Sequence, residues 1–235
     1  MTDNPMTGTS MTSHFALWSR IGHELRQPIQ SVLLLTHLMS GMETAIQRQH
    51  TGRCMEDALL ALQDMLDNVA MLAGLEAGLE IAKRAPCAMP DLIVRVAKQL
   101  AELLAEQSVT LNTKCPPATV TTDCRLLEMA VTGLVLNAMK FRTGDRVDVG
   151  CHRRRDAFRV EITFSGPAPS PAQQAALFIE IQRQQDGGAT SRPVAGLAFL
   201  SRVAQHLGGV LEHKALPKGR QSLAIALAQP DGGGS

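Results

Sequence analysis

Tyrosine is absent from this 235-residue chain, and aromatic residues make up only 3% of it, with six Phe and one Trp. A core must therefore be packed from aliphatic side chains, Ala and the 11 Met residues. An excess of either charge is also missing. The net charge is +1, which excludes a global basic field able to recruit nucleic acid or an anionic membrane surface. The longest apolar stretch, near Ser31 to Met39, is well short of the roughly 20 residues needed to span a bilayer, so no membrane insertion is expected. Met1 to Ser13 lacks a basic start followed by an apolar run, and reads as a disordered lead-in and not a secretion signal. Cysteine is present but unpatterned. Cys54, Cys87, Cys115, Cys124 and Cys151 are scattered, odd in number and without a CxxC pair. That argues against a disulfide framework and a zinc site, and for a reducing compartment. These absences together predict a soluble cytoplasmic protein.

What is present begins with helical periodicity. Phe15, Trp18, Gly22, Leu25, Ile29, Val32, Thr36, Met39 and Ile46 recur at spacings that suit one helical stripe, interrupted by Glu43. A break is expected around His50-Thr51-Gly52, after which Met55, Leu59, Leu62, Leu66, Val69 and Leu72 give a second stripe. Two such helices predict an antiparallel hairpin. A single hairpin cannot cover both stripes, so a homodimeric four-helix bundle is the expected solution.

Lys83-Arg84-Ala85-Pro86 ends this part. Beyond it, helices are predicted at Asp91–Glu106 and Asp123–Phe141, with a strand at Val109–Asn112 between them. A β-hairpin follows, Val147, Val149 and Cys151 returning through Phe158, Val160, Ile162 and Phe164. Further helices are expected at about Pro171 to Gln184 and Pro193 to Leu207, the latter closed by Gly208-Gly209. Strands at Val210–His213 and Ser222–Ala228 finish the order, joined near Lys218-Gly219-Arg220. The fold class is α+β: a helical hairpin, then helices layered on one face of a mixed sheet. The boundaries are 1–13 for the lead-in, 14–83 for the hairpin, 84–229 for the α/β domain and 230–235 for a flexible tail.

Within the first helix stands Gly22-His23-Glu24-Leu25-Arg26-Gln27-Pro28-Ile29. A neutral imidazole nitrogen can accept a phosphoryl group as a labile phosphoramidate, and a carboxylate beside it can orient the ring and select its tautomer. Gln27 lies four residues on, hence on the same helical face as His23. Pro28 lacks an N–H, so the Glu24 carbonyl loses its helical partner and a bend is expected there. His14, His37, His50, His152, His206 and His213 have no such surroundings and read as ordinary surface residues.

This string resembles the H-box of bacterial sensor histidine kinases, His-Glu-Leu-Arg-x-Pro-Leu, departing only at Ile29. The resemblance covers about Phe15 to Ala228. It implies that His23 is the phosphoacceptor, Glu24 its acid/base partner, and that Gln27 occupies the position linked to phosphatase activity. It also implies an ATPase-like (Bergerat) second domain. Leu134-Val135-Leu136-Asn137-Ala138-Met139-Lys140-Phe141 looks like the N-box, with Asn137 in the place of the Mg²⁺ ligand and Lys140 in that of the phosphate-binding lysine. The earlier Asn of that box is Gly133 here. Glu161 to Pro169 aligns with the Asp-x-Gly-x-Gly box, but Phe164 replaces the adenine-reading Asp and Ala168 the second Gly. Arg192 to Phe199 aligns with Gly-x-Gly-Leu-Gly-Leu-Ala and keeps only Gly196 of its three glycines. A phenyl ring cannot accept the adenine hydrogen bond, and lost glycines deny phosphates close approach to backbone N–H groups.

The expected function is a dimeric histidine phosphotransferase, or a degenerate histidine kinase, exchanging phosphoryl between His23 and the Asp of a response-regulator receiver domain without ATP-dependent autophosphorylation. Two alternatives stand beside it. One is an active kinase with an atypical site, using ATP and Mg²⁺ through Asn137 and Lys140; otherwise no cofactor is expected. The other is a non-catalytic adaptor that binds a receiver or a partner histidine kinase. Gly187-Gly188 reads as a linker or a source of lid flexibility, and Arg153-Arg154-Arg155 as solvated turn charges that no nucleic-acid motif accompanies.

Overall fold

The computed structural model describes residues 7–39, 41, 44–79, 82–154, 157–176, 178–185 and 188–228. It divides into two compact units, Met1–Val69 and Ala70–Ser235. The expected tail, 230–235, lies outside the described residues, as do residues 1–6 of the expected lead-in.

The first unit contains helix α1 (Thr7–Met39) and most of α2 (Ala45–Glu76). Two expectations are corrected here. Helix α1 starts at Thr7, inside the stretch read as a disordered lead-in. The break between the helices lies before Ala45 and not at His50-Thr51-Gly52, which are interior to α2. The reason is a capping box. The Thr44 hydroxyl accepts from Gln47 N at 3.2 Å, and the Gln47 side chain accepts from Thr44 N at 3.4 Å, so two orphan donors are satisfied at the helix start. Along α1, Ile21, Leu25, Pro28, Val32, Leu35 and Met39 are buried or half-buried. Their alternating spacing of four and three is a heptad-like seam. It shares Leu25, Val32 and Met39 with the expected stripe, while Ile29, Leu33, Leu34 and Leu38 remain exposed. On α2, Ala61, Met65 and Val69 are buried, whereas Leu59, Leu60 and Leu66 are exposed. By length and composition alone, one helix among the described residues, α2, is long and apolar enough to cross a membrane.

In the second unit the end of α2 is followed by strand β1 (Ala85–Ala88), which pairs antiparallel with β3 (Thr119–Thr122) in a small sheet not expected from the sequence. Between them lie α3 (Met89–Glu106) and β2 (Thr110–Lys114). Helix α4 (Cys124–Phe141) follows, then β4 (Arg146–Arg154) and β5 (Ala157–Ser165). The short α5 (Pro171–Ala175) leads into a hairpin of β6 (Phe178–Gln185) and β7 (Gly188–Ala195), and α6 (Leu197–His206), β8 (Gly209–Leu216) and β9 (Arg220–Ala228) complete the chain.

The main sheet has the order β2-β4-β5-β9-β8, with β2 and β4 parallel and the other pairs antiparallel. Alternation decides its two faces. Val147, Val149, Phe158, Val160, Ile162, Phe164, Leu223, Ile225 and Leu227 are all buried. Helices α3, α4 and α6 supply the opposing core residues Leu92, Val96, Leu127, Leu134, Phe199 and Leu200. Gly208, in the left-handed region at φ 75°, ends α6 and turns the chain into β8.

The helix expected at Pro171–Gln184 is corrected to α5 plus β6, and the one expected from Pro193 starts at Leu197 after β7. Ser170 and Gln173 form a capping box that starts α5, but β-branched Ile179 and Ile181 suit a strand better. The segment 186–187 lies outside the described residues. Its sequence, Asp186-Gly187, is nevertheless the two-residue hairpin signature that the helical reading overlooked. Of the basic run, Arg155 is also outside the described residues.

The expectation of unpaired cysteines is corrected as well. Cys87 and Cys124 form a disulfide with Cα atoms 5.5 Å apart. The β1–β3 ladder brings Cys87 opposite Val120, four residues before Cys124 opens α4, so two residues distant in sequence meet at bonding range.

The other face of the main sheet is polar and laced with ion pairs. Arg159 reaches Glu212 at 2.6 Å and Glu161 at 3.4 Å, and Arg220 reaches Asp148 at 2.8 Å. Partial burial works against the Glu161 charge. The Ser222 hydroxyl, Arg159 and His152 outweigh it and hold the carboxyl below its ordinary value. Hydrogen bonds from Arg159 and Lys214 lower that of Glu212. A carboxyl whose folded pKa is depressed contributes stability above its unfolded value, about 4.3, and loses it as pH falls through the folded value. The melting temperature is therefore expected to fall between about pH 5 and pH 3. Glu161→Gln should flatten that slope in a calorimetric pH series.

Candidate functional site

His23 lies on α1 with its side chain exposed, and Gln27 is exposed one turn later. The helical repeat puts both on one face, while Glu24 is half-buried and about 100° round the helix from His23. Gly22, beside it, has nothing packed within 4 Å of where a Cβ would stand. Helix α1 runs through Pro28 without interruption. One turn beyond, the Ser31 hydroxyl donates to the Gln27 carbonyl at 3.2 Å, and Thr36 does the same to Val32 at 2.8 Å. Such back-bonding serves carbonyls in a stretch where Pro has removed one ladder donor.

The second group of residues belongs to α4. Asp123 caps this helix, accepting from Leu126 N at 3.1 Å and from Lys83 N at 2.8 Å. Asn137 is fully buried. Its amide donates to the Gly133 carbonyl at 2.7 Å and to the Ala195 carbonyl at 2.9 Å, while its Oδ1 is buried and has no partner among the described residues. Lys140 is exposed in the last turn, where a cation complements the helix dipole. Asn137 and Lys140 thus share a helix end but differ in access.

Three neighbouring positions have been turned to packing. A Cβ on Gly133 would lie 2.7 Å from a Leu200 methyl, so the absent side chain is what lets α6 settle on α4. Phe164 is 1% exposed, a core residue of β5. A Cβ on Gly166 would strike the Phe141 carbonyl. The Gly166 backbone is also pinned, its N–H donating to Gly219 at 3.1 Å and its carbonyl accepting from Gln221 at 3.1 Å. Gly196 supplies the N-cap of α6.

These residues do not fit a magnesium–nucleotide complex. Mg²⁺ retains several waters in its shell, and the one candidate ligand oxygen, Asn137 Oδ1, is sealed from solvent. No carboxylate stands at position 164 to read an adenine. Sequence comparison with the kinase boxes located these positions. It missed that Ala195 would take up the Asn137 amide, a contact across 58 residues that no local pattern encodes.

No family model matches the chain. Among curated proteins it is similar to the signal transduction histidine-protein kinase BarA of Escherichia coli K12, at 28% identity over 214 residues, covering 85% of this chain. The match spans only 23% of BarA, so the chain corresponds to about a quarter of that relative's length. Among solved structures it is similar to the Acinetobacter baumannii histidine kinase AdeS, with a TM-score of 0.70 at 14% identity, covering 88% of this chain and 97% of that one. It is also similar to histidine kinase ThkA, solved with the response regulator protein TrrA, with a TM-score of 0.68 at 14% identity, covering 96% of this chain and 65% of that one. The fold is therefore that of the sensor histidine kinases, N-terminal helices followed by an ATPase-type domain. The relatives and solved structures it is similar to are themselves histidine kinases.

Restoring the missing asparagine tests the packing argument. Gly133→Asn would drive a polar side chain into Leu200, at a cost of about 1–3 kcal/mol for overpacking, read as a lower urea midpoint. Leu200→Ala in the same chain should recover part of that loss if the two positions are in contact.

Proposed function

We propose that this chain is a dimeric histidine phosphotransferase, a degenerate histidine kinase that works in a two-component phosphorelay without phosphorylating itself from ATP. The observation that carries the reading is the contrast in access. His23 and Gln27 are exposed on one face of α1, while Asn137 is buried and engaged by the Ala195 carbonyl.

In the proposed reaction a free nitrogen of His23 attacks the phosphorus of a receiver aspartyl phosphate. The bond to the aspartate oxygen breaks, the carboxylate leaves, and a phosphoramidate forms; the reverse transfer uses the same geometry. Glu24 orients the imidazole, and Gln27 can place a water against a phosphorylated receiver. A receiver domain as partner agrees with the ThkA complex, which contains a response regulator. Dimerisation is supported by the apolar edges of the helices, where Ile29, Leu33, Leu34, Leu38, Leu59 and Leu66 are 44–61% exposed, an arrangement a second copy would cover as a four-helix bundle. Such a bundle also accounts for the apolar character of α2.

Radiolabel transfer from two donors in parallel, ATP with Mg²⁺ and a phosphorylated receiver, separates the readings. Label should reach His23 from the receiver only, and His23→Ala should abolish it. Labelling from ATP would establish the active-kinase reading, and receiver binding without exchange would establish the adaptor. For the assembly, Leu33→Glu with Leu38→Glu is expected to shift the sedimentation mass from dimer to monomer at micromolar concentration. A mass unchanged by the pair would exclude this interface.

A further inference from the structure

The disulfide between Cys87 and Cys124 sits where reversible chemistry is favoured, and its position is independent of the role assigned to His23. Cys124 is the first residue of α4, an 18-residue helix whose N-terminal N–H groups favour a thiolate. The Arg95 guanidinium lies 3.3 Å from its sulfur, while its Nε pairs with Glu128 at 2.7 Å. Cys124 is half-buried, whereas Cys87 is 2% exposed. One sulfur is therefore approachable and electrostatically supported, and the other is enclosed. The Asp123 carboxylate next door works against the thiolate, but two backbone N–H groups already hold it, from Lys83 and Leu126. The remaining cysteines differ. Cys151 is buried in the sheet, and burial raises its thiol well above the ordinary range; burial likewise raises Cys115.

The bond also has a mechanical place. It closes a separation of 37 residues and fastens β1, immediately after the segment that leaves α2, to the start of the helix carrying Asn137. The Lys83–Asp123 hydrogen bond and the β1–β3 ladder fasten the same stretch.

We propose that Cys87–Cys124 is a thiol–disulfide exchange site for small thiols of the glutathione class, and that its oxidation state sets how firmly residues 83–88 are held to α4. In reduction an incoming thiolate attacks Cys124 Sγ, the protein S–S bond breaks, and its electron pair goes to Cys87 Sγ, which takes a proton. A second thiolate attacks the outer sulfur of the mixed disulfide, releasing the small-molecule disulfide and a Cys124 thiolate beside Arg95. The balance is protein disulfide plus two thiols to protein dithiol plus one disulfide.

The test equilibrates the full chain with reduced and oxidised glutathione, quenches with acid, alkylates and maps peptides by mass. The Cys87–Cys124 linked peptide is expected to titrate away between ratios of roughly 1:1 and 100:1 reduced to oxidised. A linked peptide undiminished at the most reducing ratio would mark a permanent structural bond and overturn the proposal, as would one that never forms. In the reduced chain, Cys124 should alkylate about tenfold faster than Cys54 at neutral pH, and Arg95→Leu should slow Cys124 alone; equal rates overturn the assignment of Cys124 as the attacked sulfur. Amide exchange over residues 83–88 should rise on reduction, and the Cys87→Ser/Cys124→Ser variant should match reduced wild type. Identical exchange in both redox states would overturn the fastening role.

Discussion

The hydrogen bond from the Asn137 amide to the Ala195 carbonyl is the constraint around which the second unit is organised. It joins the most buried helix to the end of the β6–β7 hairpin, at the point where α6 begins. A buried amide must find partners or cost several times what a satisfied one contributes. Asn137 finds two carbonyls, and that fixes where the chain enters α6. Once α6 is placed, Leu200 occupies the space over Gly133, and the two helices close on each other. The Asn137 amide thereby contributes to the cohesion of the unit.

The two units are then unlike in what they leave available. On α1 the imidazole and the amide of Gln27 are exposed, as are the apolar Ile29, Leu33, Leu34 and Leu38 on the same helix. In the second unit, Phe164, Gly166, Gly133 and Asn137 all serve packing. These are also the positions at which the kinase pattern is eroded or engaged. Phe164 lets β5 present an uninterrupted buried row from Phe158 to Phe164. The polar network of Arg159, Glu161, Glu212, Arg220 and Asp148 on the opposite sheet face keeps that surface solvated and sets its acid sensitivity.

Much of this was legible from residues in order. The period-two alternation of Val147 to Phe164 specified the central hairpin, and Asp123 marked the start of α4, because both signals are local and repeated. Other local signals were present but outweighed. Thr44 and Gln47 form a capping box that the break expected at His50-Gly52 displaced, since Thr51 and Gly52 are weak helix formers, although α2 holds both in its interior. The stretch after Pro171 reads as helix, yet the β-branched Ile179 and Ile181 within it favour a strand. Four-residue strands such as β1 and β3 are too short to show any period, and Pro86 argued against one of them.

By itself the sequence determined the class of fold, the string of residues around His23, and the identity of the residues at 164, 166 and 168. Each depends on residue identity at adjacent positions or at a fixed helical period. The tertiary structure alone decided that Asn137 is closed off by Ala195, that Gly133 exists for Leu200, and that Cys87 meets Cys124. Those pairs are separated by 58, 67 and 37 residues. Contacts of that kind are settled by how helices and strands share one core, which no local pattern of residues records.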